Sequence, residues 1–407
     1  MNRFIVLMAS LAITALLNSC SNSASSADAP PDFKAVAGDS SVTITWTAAA
    51  DVEYWVFFAK GTNVTTANWL SIGGSAVTKV TSPYVVGGLV NGTAYSFTMN
   101  GRKNGGPGGA GAPTQVVTPR LAGSNWVVGA PLGTARLNGV GTTATSNTAV
   151  GTGGAIFSIA SGAVAVTQTN PAAPADLNAV LNSGLGFAAV GAAGTVIFTS
   201  DALTWTAKAS GTVADLYALA TPATGAFAAF GAAGTIITSS DGSTWTSVTS
   251  GTTKSLYSGA YGAGRYVAVG AEGTIVTSTD GITWQSIASG TTRDLRAVTF
   301  GILSTTTGTT TTTANLFVAL GAAGTLLTSS DGLAWTLRTP MSTSNINAAV
   351  YGGQFVAVGS GGAIYTSADG ITWRAETSGT TNDLTALART ANGYVAVGAA
   401  GTYLTSQ

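Results

Sequence analysis

The sequence predicts an all-β chain: a small sandwich of short strands, followed by seven four-stranded sheets arranged in a ring. Three observations carry this expectation. Gly is very abundant (54 residues) in a chain also dense in Ala, Thr, Ser and Val, a mixture that suits short strands and tight turns better than long helices. Asp201, Asp241, Asp280, Asp331 and Asp369 recur at intervals of 40, 39, 51 and 38 residues, each in a stretch such as "SSDGSTW" or "STDGITW". Between successive aspartates lie four short apolar patterns of strand length.

Composition narrows the chemistry. Charged residues make up 8% of the 407 residues and cancel to zero, so the chain lacks the basic footprint of a nucleic-acid or anionic-surface binder. There is no histidine, which removes the commonest general base and the commonest metal ligand. A single Cys excludes disulfides within the chain and thiolate metal clusters. No metal and no cofactor are expected.

The chain opens with Arg3 and an apolar run from Phe4 to Leu17, broken by Ser10 and Thr14. That run is short for a membrane span and suits a signal-peptide core. It leads into Leu17-Asn18-Ser19-Cys20, and the segment resembles a bacterial lipoprotein signal with its lipobox. The resemblance implies removal of residues 1–19 and acylation of Cys20, which would tie the protein to a membrane. With Ser21 next, it further implies sorting to the outer membrane of a Gram-negative cell. Residues 20–31, rich in Ser and Ala and ending in Pro30-Pro31, read as a flexible tether.

Residues 32–120 carry alternating strand patterns, among them "SVTITW" (41–46), "EYWVFFA" (53–59), "AYSFTM" (94–99) and "TQVVTP" (114–119). Leu89 lies six residues before Tyr95 across Asn91-Gly92, like the tyrosine corner of sandwich domains. With Trp46, the stretch resembles a fibronectin type III domain, in which Trp46 and Tyr95 would be core and corner residues. "GRKNGGPGGAGAP" (101–113) reads as a polar loop. Such domains mostly act as spacers in bacterial envelope proteins.

Residues 121–407 hold the repeat. First strands are expected to start at Leu137, Leu177, Leu216, Leu256, Leu295, Ile346 and Leu384, giving seven units. The last unit, "GYVAVGAAGTYLTSQ", stops before its turn and lacks a fourth strand. Trp126 lies eleven residues before Leu137, as Trp284 does before Leu295. The segment around Trp126 is therefore expected to complete the last sheet and close the ring, leaving no open edge. The long interval contains "STTTGTTTTTAN" (304–315), read as a low-complexity loop. The motif resembles the Asp-box (BNR) repeat of sialidase-like β-propellers. The resemblance implies a seven-bladed propeller and says little about function, because the repeat serves sialidases, other glycosidases, sorting receptors and photosystem-assembly factors alike.

Asp-Gly between strands is a hairpin signal, since Gly tolerates positive φ and the carboxylate accepts N–H groups of its own turn. A catalytic acid is needed once per site, whereas these recur once per repeat, so no catalytic residue is assigned. Of the eleven acids in the repeat region, five are these turn residues. Asp176, Asp215, Asp294 and Asp383 share the position before the first strand and are expected to brace loops; only Glu272 and Glu376 break the pattern. Glycoside hydrolysis needs two carboxylates about 5–10 Å apart, and nothing in the sequence pairs these two.

In propellers the first strands border a central channel. The residue after each leading Leu or Ile varies: Asn138, Asn178, Tyr217, Tyr257, Arg296, Asn347 and Thr385. These seven are the expected ligand ring, suited to a sugar or a peptide terminus, with Lys254, Arg293 and Asn382 just outside it. The bland alternative is that they pack between sheets. The expected function is a monomeric, non-enzymatic envelope module that binds protein or glycan. Its rivals are a sialidase-like or other glycoside hydrolase and an assembly factor for membrane-protein complexes.

Overall fold

The computed structural model describes residues 24–160, 166–167, 175–222, 225–307, 310–391 and 393–406. Cys20 and its signal segment lie outside these. Contacts divide the chain between Pro119 and Arg120 into two units.

The first unit is built from two antiparallel sheets. In one, Ser41–Thr45 lies between Lys34–Gly38 and Tyr84–Gly87. In the other, Tyr95–Lys103 pairs with Glu53–Lys60, which pairs in turn with Ser75–Val80, while Gln115–Val117 joins the far side of Tyr95–Lys103. Alternation in "SVTIT" sends Val42 and Ile44 inward, where they meet Trp46, Tyr54, Val56, Phe97 and Met99. Trp46 meets Tyr54 edge-on, with ring centroids 5.5 Å apart. Val90 N–H donates to the Tyr95 hydroxyl at 3.2 Å, fixing the turn before that strand. Two expectations are corrected here. Ser25–Ala27, read as tether, pairs with Gly101–Lys103 as a strand, because that edge offers unpaired backbone groups. For the same reason Gly101–Lys103 belongs to a strand and not to the polar loop.

The second unit contains, among the described residues, seven four-stranded antiparallel sheets. Their first strands start at Leu137, Leu177, Leu216, Leu256, Leu295, Ile346 and Leu384. The fourth sheet is typical: Leu256–Gly262, Arg265–Gly270, Ile275–Ser278 and Gln285–Ile287 lie side by side in chain order. In the seventh, Trp126–Val128 pairs with Tyr403–Ser406 as the outermost strand. Gly123 N–H donates to Ser406 Oγ at 2.8 Å, and Gln354 Nε2 donates to the Ala122 carbonyl at 2.6 Å. Successive first strands touch one another, and Leu384–Arg389 touches Leu137–Thr142.

Packing explains the sequence pattern. Second strands such as Phe355–Gly359 (FVAVG) are buried along their whole length, because each faces a neighbouring sheet on both sides, so they read as continuous apolar runs. Phe230 of the third sheet meets Trp284 of the fourth edge-on at 5.7 Å. The threonine-rich insertion is not a loop. Leu295–Thr307 and Thr310–Gly321 form one hairpin whose pairing continues out to Thr307 and Thr310, since β-branched residues favour the extended backbone.

Candidate functional site

The Asp-Gly turns share one hydrogen-bond scheme. Asp280 Oδ1 accepts the N–H groups of Ile282 at 2.8 Å and Thr283 at 2.7 Å, plus the Ser278 hydroxyl at 2.8 Å. Asp201, Asp241, Asp331 and Asp369 repeat it with their own neighbours. These bonds favour the ionised carboxylate. The Thr244 and Ser243 N–H groups draw Asp241 down to about 2. Asp280 and Asp201 lie well below the ordinary carboxylate value, chiefly through the Thr283 and Thr204 N–H groups respectively. The Ala334 N–H lowers Asp331. At Asp369 burial pushes upward, yet bonds from Thr372 and Ile371 hold it low. Such groups cannot serve as general acids near neutrality.

After each Asp-Gly pair, the Trp Nε1 donates to the Gly carbonyl, as Trp284 does to Gly281 at 3.1 Å and Trp245 to Gly242 at 3.2 Å. The Gly is required. A Cβ on Gly242 would sit 2.4 Å from the Phe198 ring of the preceding sheet. Where Ala202 replaces it, the backbone is held at φ 60°, and Trp205 Nε1 has no partner.

The second set of aspartates joins sheets. Asp215 Oδ1 accepts the Ala193 N–H of the preceding sheet at 2.8 Å, while the Asp215 carbonyl accepts the Ala232 N–H of its own sheet at 2.8 Å. Asp176, Asp294 and Asp383 grip Gly153, Glu272 and Gly361 in the same way. The sequence reading did not include Asn345, which does the same for Ala323 at 3.0 Å; its place just before Ile346 was the available signal. Each gripped residue has a left-handed backbone, Glu272 among them at φ 52°.

The seven expected ring residues converge. All of them line one cavity of about 400 Å³ bordered by the first strands. Each first strand carries a register shift at this position, for example between Leu177 and Ala179 and between Leu295 and Ala297, and such bulges re-aim side chains. Four members are spent on structure. Asn138, Asn178 and Asn347 donate to the carbonyls of Leu177, Leu216 and Leu384 of the next sheet at 3.0, 2.9 and 2.8 Å. Thr385 donates to the Leu137 carbonyl. For these four the structure favours the inter-sheet role. Tyr217, Tyr257 and Arg296 make no such bond. The two tyrosine rings pack 5.8 Å apart, and burial, then the Asp215 charge, pushes the Tyr217 hydroxyl up, so it remains a neutral donor.

Outside the ring, Lys254 pairs with Glu272 at 2.6 Å and Asn382 donates to Thr402 Oγ1 at 2.7 Å. Arg293 reaches the Ala323 carbonyl at 3.5 Å. Glu376 lies on the fourth strand of the sixth sheet with its side chain buried, accepting from Thr366 at 2.8 Å and facing Arg374 at 3.4 Å. Glu272 and Glu376 are thus on different sheets and in different surroundings. No described Asp or Glu lines the channel. Among the described residues, no three His, Cys, Asp or Glu side chains gather as a metal would need.

No protein-family model matches the chain, and no curated protein matches it by sequence. Solved structures do match in shape. YCF48 bound to a D1 peptide has 16% identity and a TM-score of 0.54, over 69% of this chain and 94% of that one. The WD40 β-propeller domain of Doa1 has 10% identity and a TM-score of 0.54, over 70% and 96%. Virginiamycin B lyase from Staphylococcus aureus has 10% identity and a TM-score of 0.55, over 70% and 99%. At these identities the likeness shows the fold alone, and that fold is a β-propeller.

Proposed function

We propose that the protein is a non-enzymatic binding module of the bacterial cell envelope: a lipoprotein held through Cys20, with a fibronectin type III-like spacer and a closed, seven-bladed Asp-box propeller. The single observation that carries the non-enzymatic reading is the placement of its acids. The turn aspartates are held ionised by N–H groups of their own turns, the second set spans between sheets, and among the described residues no carboxylate lines the channel. Most glycosidases need an acid and a second carboxylate facing one bond, and those with a tyrosine nucleophile still need an acid. The ligand enters at the channel, where seven sheets present side chains to one space. A protein partner is favoured over a glycan because a neighbour of the same fold, YCF48, was solved with a D1 peptide. An assembly or scaffold role is one form this binding would take. On this reading the protein is a monomer, facing its partner at the outer membrane.

Pull-down from solubilised envelopes, run beside a glycan array and a broad glycoside panel, tests the reading. Expected are saturable capture of a protein partner and no turnover of any glycoside. Turnover abolished by replacing Glu272, Glu376 and Arg296 together would overturn it.

A further inference from the structure

The seven ring positions divide into two kinds, and the division is contiguous. In sheets one, two, six and seven the residue after the leading Leu or Ile stitches to the next sheet's leading carbonyl. In sheets three, four and five that bond is given up, and Tyr217, Tyr257 and Arg296 stand there instead. Between sheets four and five a substitute stitch runs from Val298 N–H to Ser258 Oγ at 3.1 Å, one residue beyond the ring position. The ring position is thereby released from its structural duty while the sheets stay joined. A repeat that abandons the same bond in three neighbouring units, and rebuilds one of them nearby, has made room for other contacts.

What stands there defines the chemistry. Among the described residues lining the cavity, Arg296 is the only Lys, Arg, Asp or Glu. It is half-buried and makes no ion pair or hydrogen bond within the described residues. Tyr217 and Tyr257 stand at the same position in the two preceding sheets, and among the described residues neither hydroxyl has a hydrogen-bond partner. A planar guanidinium that shares one cavity with two O–H donors, and with no carboxylate among the described lining residues, is complementary to a single carboxylate. The cavity volume of about 400 Å³ admits a slender ligand and no folded domain.

We infer that the Tyr217–Tyr257–Arg296 arc anchors one carboxylate group, carried on a chain end or a small organic acid that enters the channel. This rests on the reading of the propeller as a binding module and names the chemistry of its ligand. The guanidinium takes the two carboxylate oxygens and the tyrosine hydroxyls donate to them, while the stitched sheets hold the opposite wall.

The test uses the full chain and nuclear magnetic resonance of ring-labelled tyrosine with three probes: N-acetyl-Gly-Ala-Val with a free carboxylate, its C-terminal amide, and butyrate. The free acid is expected to shift the Tyr217 and Tyr257 signals saturably. Amidation, or Arg296→Gln, is expected to weaken binding about tenfold or more, the cost of losing a charge-assisted bond. Arg296→Lys restores part of the affinity, and Tyr257→Phe loses less than Arg296→Gln. Lys208→Gln, which removes a charge of the same sign from an outer strand, leaves affinity unchanged. Tighter binding of the tripeptide than of butyrate assigns a chain end; equal binding assigns a small acid. The amide binding as tightly as the acid, Arg296→Gln binding like the wild type while folded by circular dichroism, or no response to either acid overturns the anchor. Envelope partners captured equally by wild type and Arg296→Gln would leave the binding-module reading standing and overturn the anchor alone.

Discussion

At the scale of single residues, the carboxylate of each Asp-Gly turn is a strut whose use fixes its ionisation. Asp241 sits at about 2 because the Thr244 and Ser243 N–H groups are worth most to the charged form. A carboxylate lowered on folding adds stability above its unfolded value, and that stability is lost as pH falls through the folded value. Thermal unfolding followed from about pH 5 to about pH 2 should show a falling Tm, and Asp241→Asn should flatten the decline. Gly242 and Ala202 form a natural pair of opposites. Gly242→Ala should destabilise by forcing a Cβ toward Phe198, whereas Ala202→Gly should stabilise by about 0.5–1 kcal/mol, since Gly accepts positive φ without strain. Denaturant midpoints measure both. These aspartates were legible as turn residues from recurrence alone. Asp215 and its counterparts were legible as braces from their shared position before the first strand; that the bond reaches the preceding sheet was not, because position does not name the partner.

At the scale of elements, the latches and the threonine hairpin make separate predictions. Asn345 performs in one sheet the task that aspartates perform in four others, so Asp383→Asn should unfold like the wild type. Asp383→Ala leaves the Gly361 N–H without its acceptor and should cost about 1 kcal/mol by chemical denaturation. The hairpin beyond Leu303 extends past the sheet to which it belongs, and residues 310–314 are exposed. Replacing residues 305–312 with Asn-Gly should therefore shift Tm by less than about 2 °C. Its strand character was missed for a physical reason: a run of one residue type carries no apolar alternation, although its β-branching favours extension. The bulge after every leading Leu was equally hidden, since it depends on how neighbouring sheets meet. Without it the ring residues could not be sorted into stitches and free groups.

At the scale of the whole molecule, the chain's ends carry a large share of the propeller's integrity. Trp126–Val128 completes the seventh sheet, and the segment before it is fastened by Gln354 and Ser406. A chain lacking residues 121–128 should lose more than about 5 °C in Tm, with Gln354→Ala losing a smaller part, both read by scanning calorimetry. The repeat's phase and the seven first-strand starts were legible from the period, and the convergence of the seven ring positions from the period together with the propeller resemblance; which three positions escape the stitching was not, because that depends on bonds between neighbouring sheets. We propose that the acids fasten corners around the molecule and that none serves a reaction. Carbon-detected titration of the aspartate carboxylates tests it most directly. Asp201, Asp241, Asp280, Asp331 and Asp369 should all titrate below the ordinary carboxylate value, Asp241 at about 2. Any of the five titrating above that value, or two titrating as a coupled pair, would contradict it.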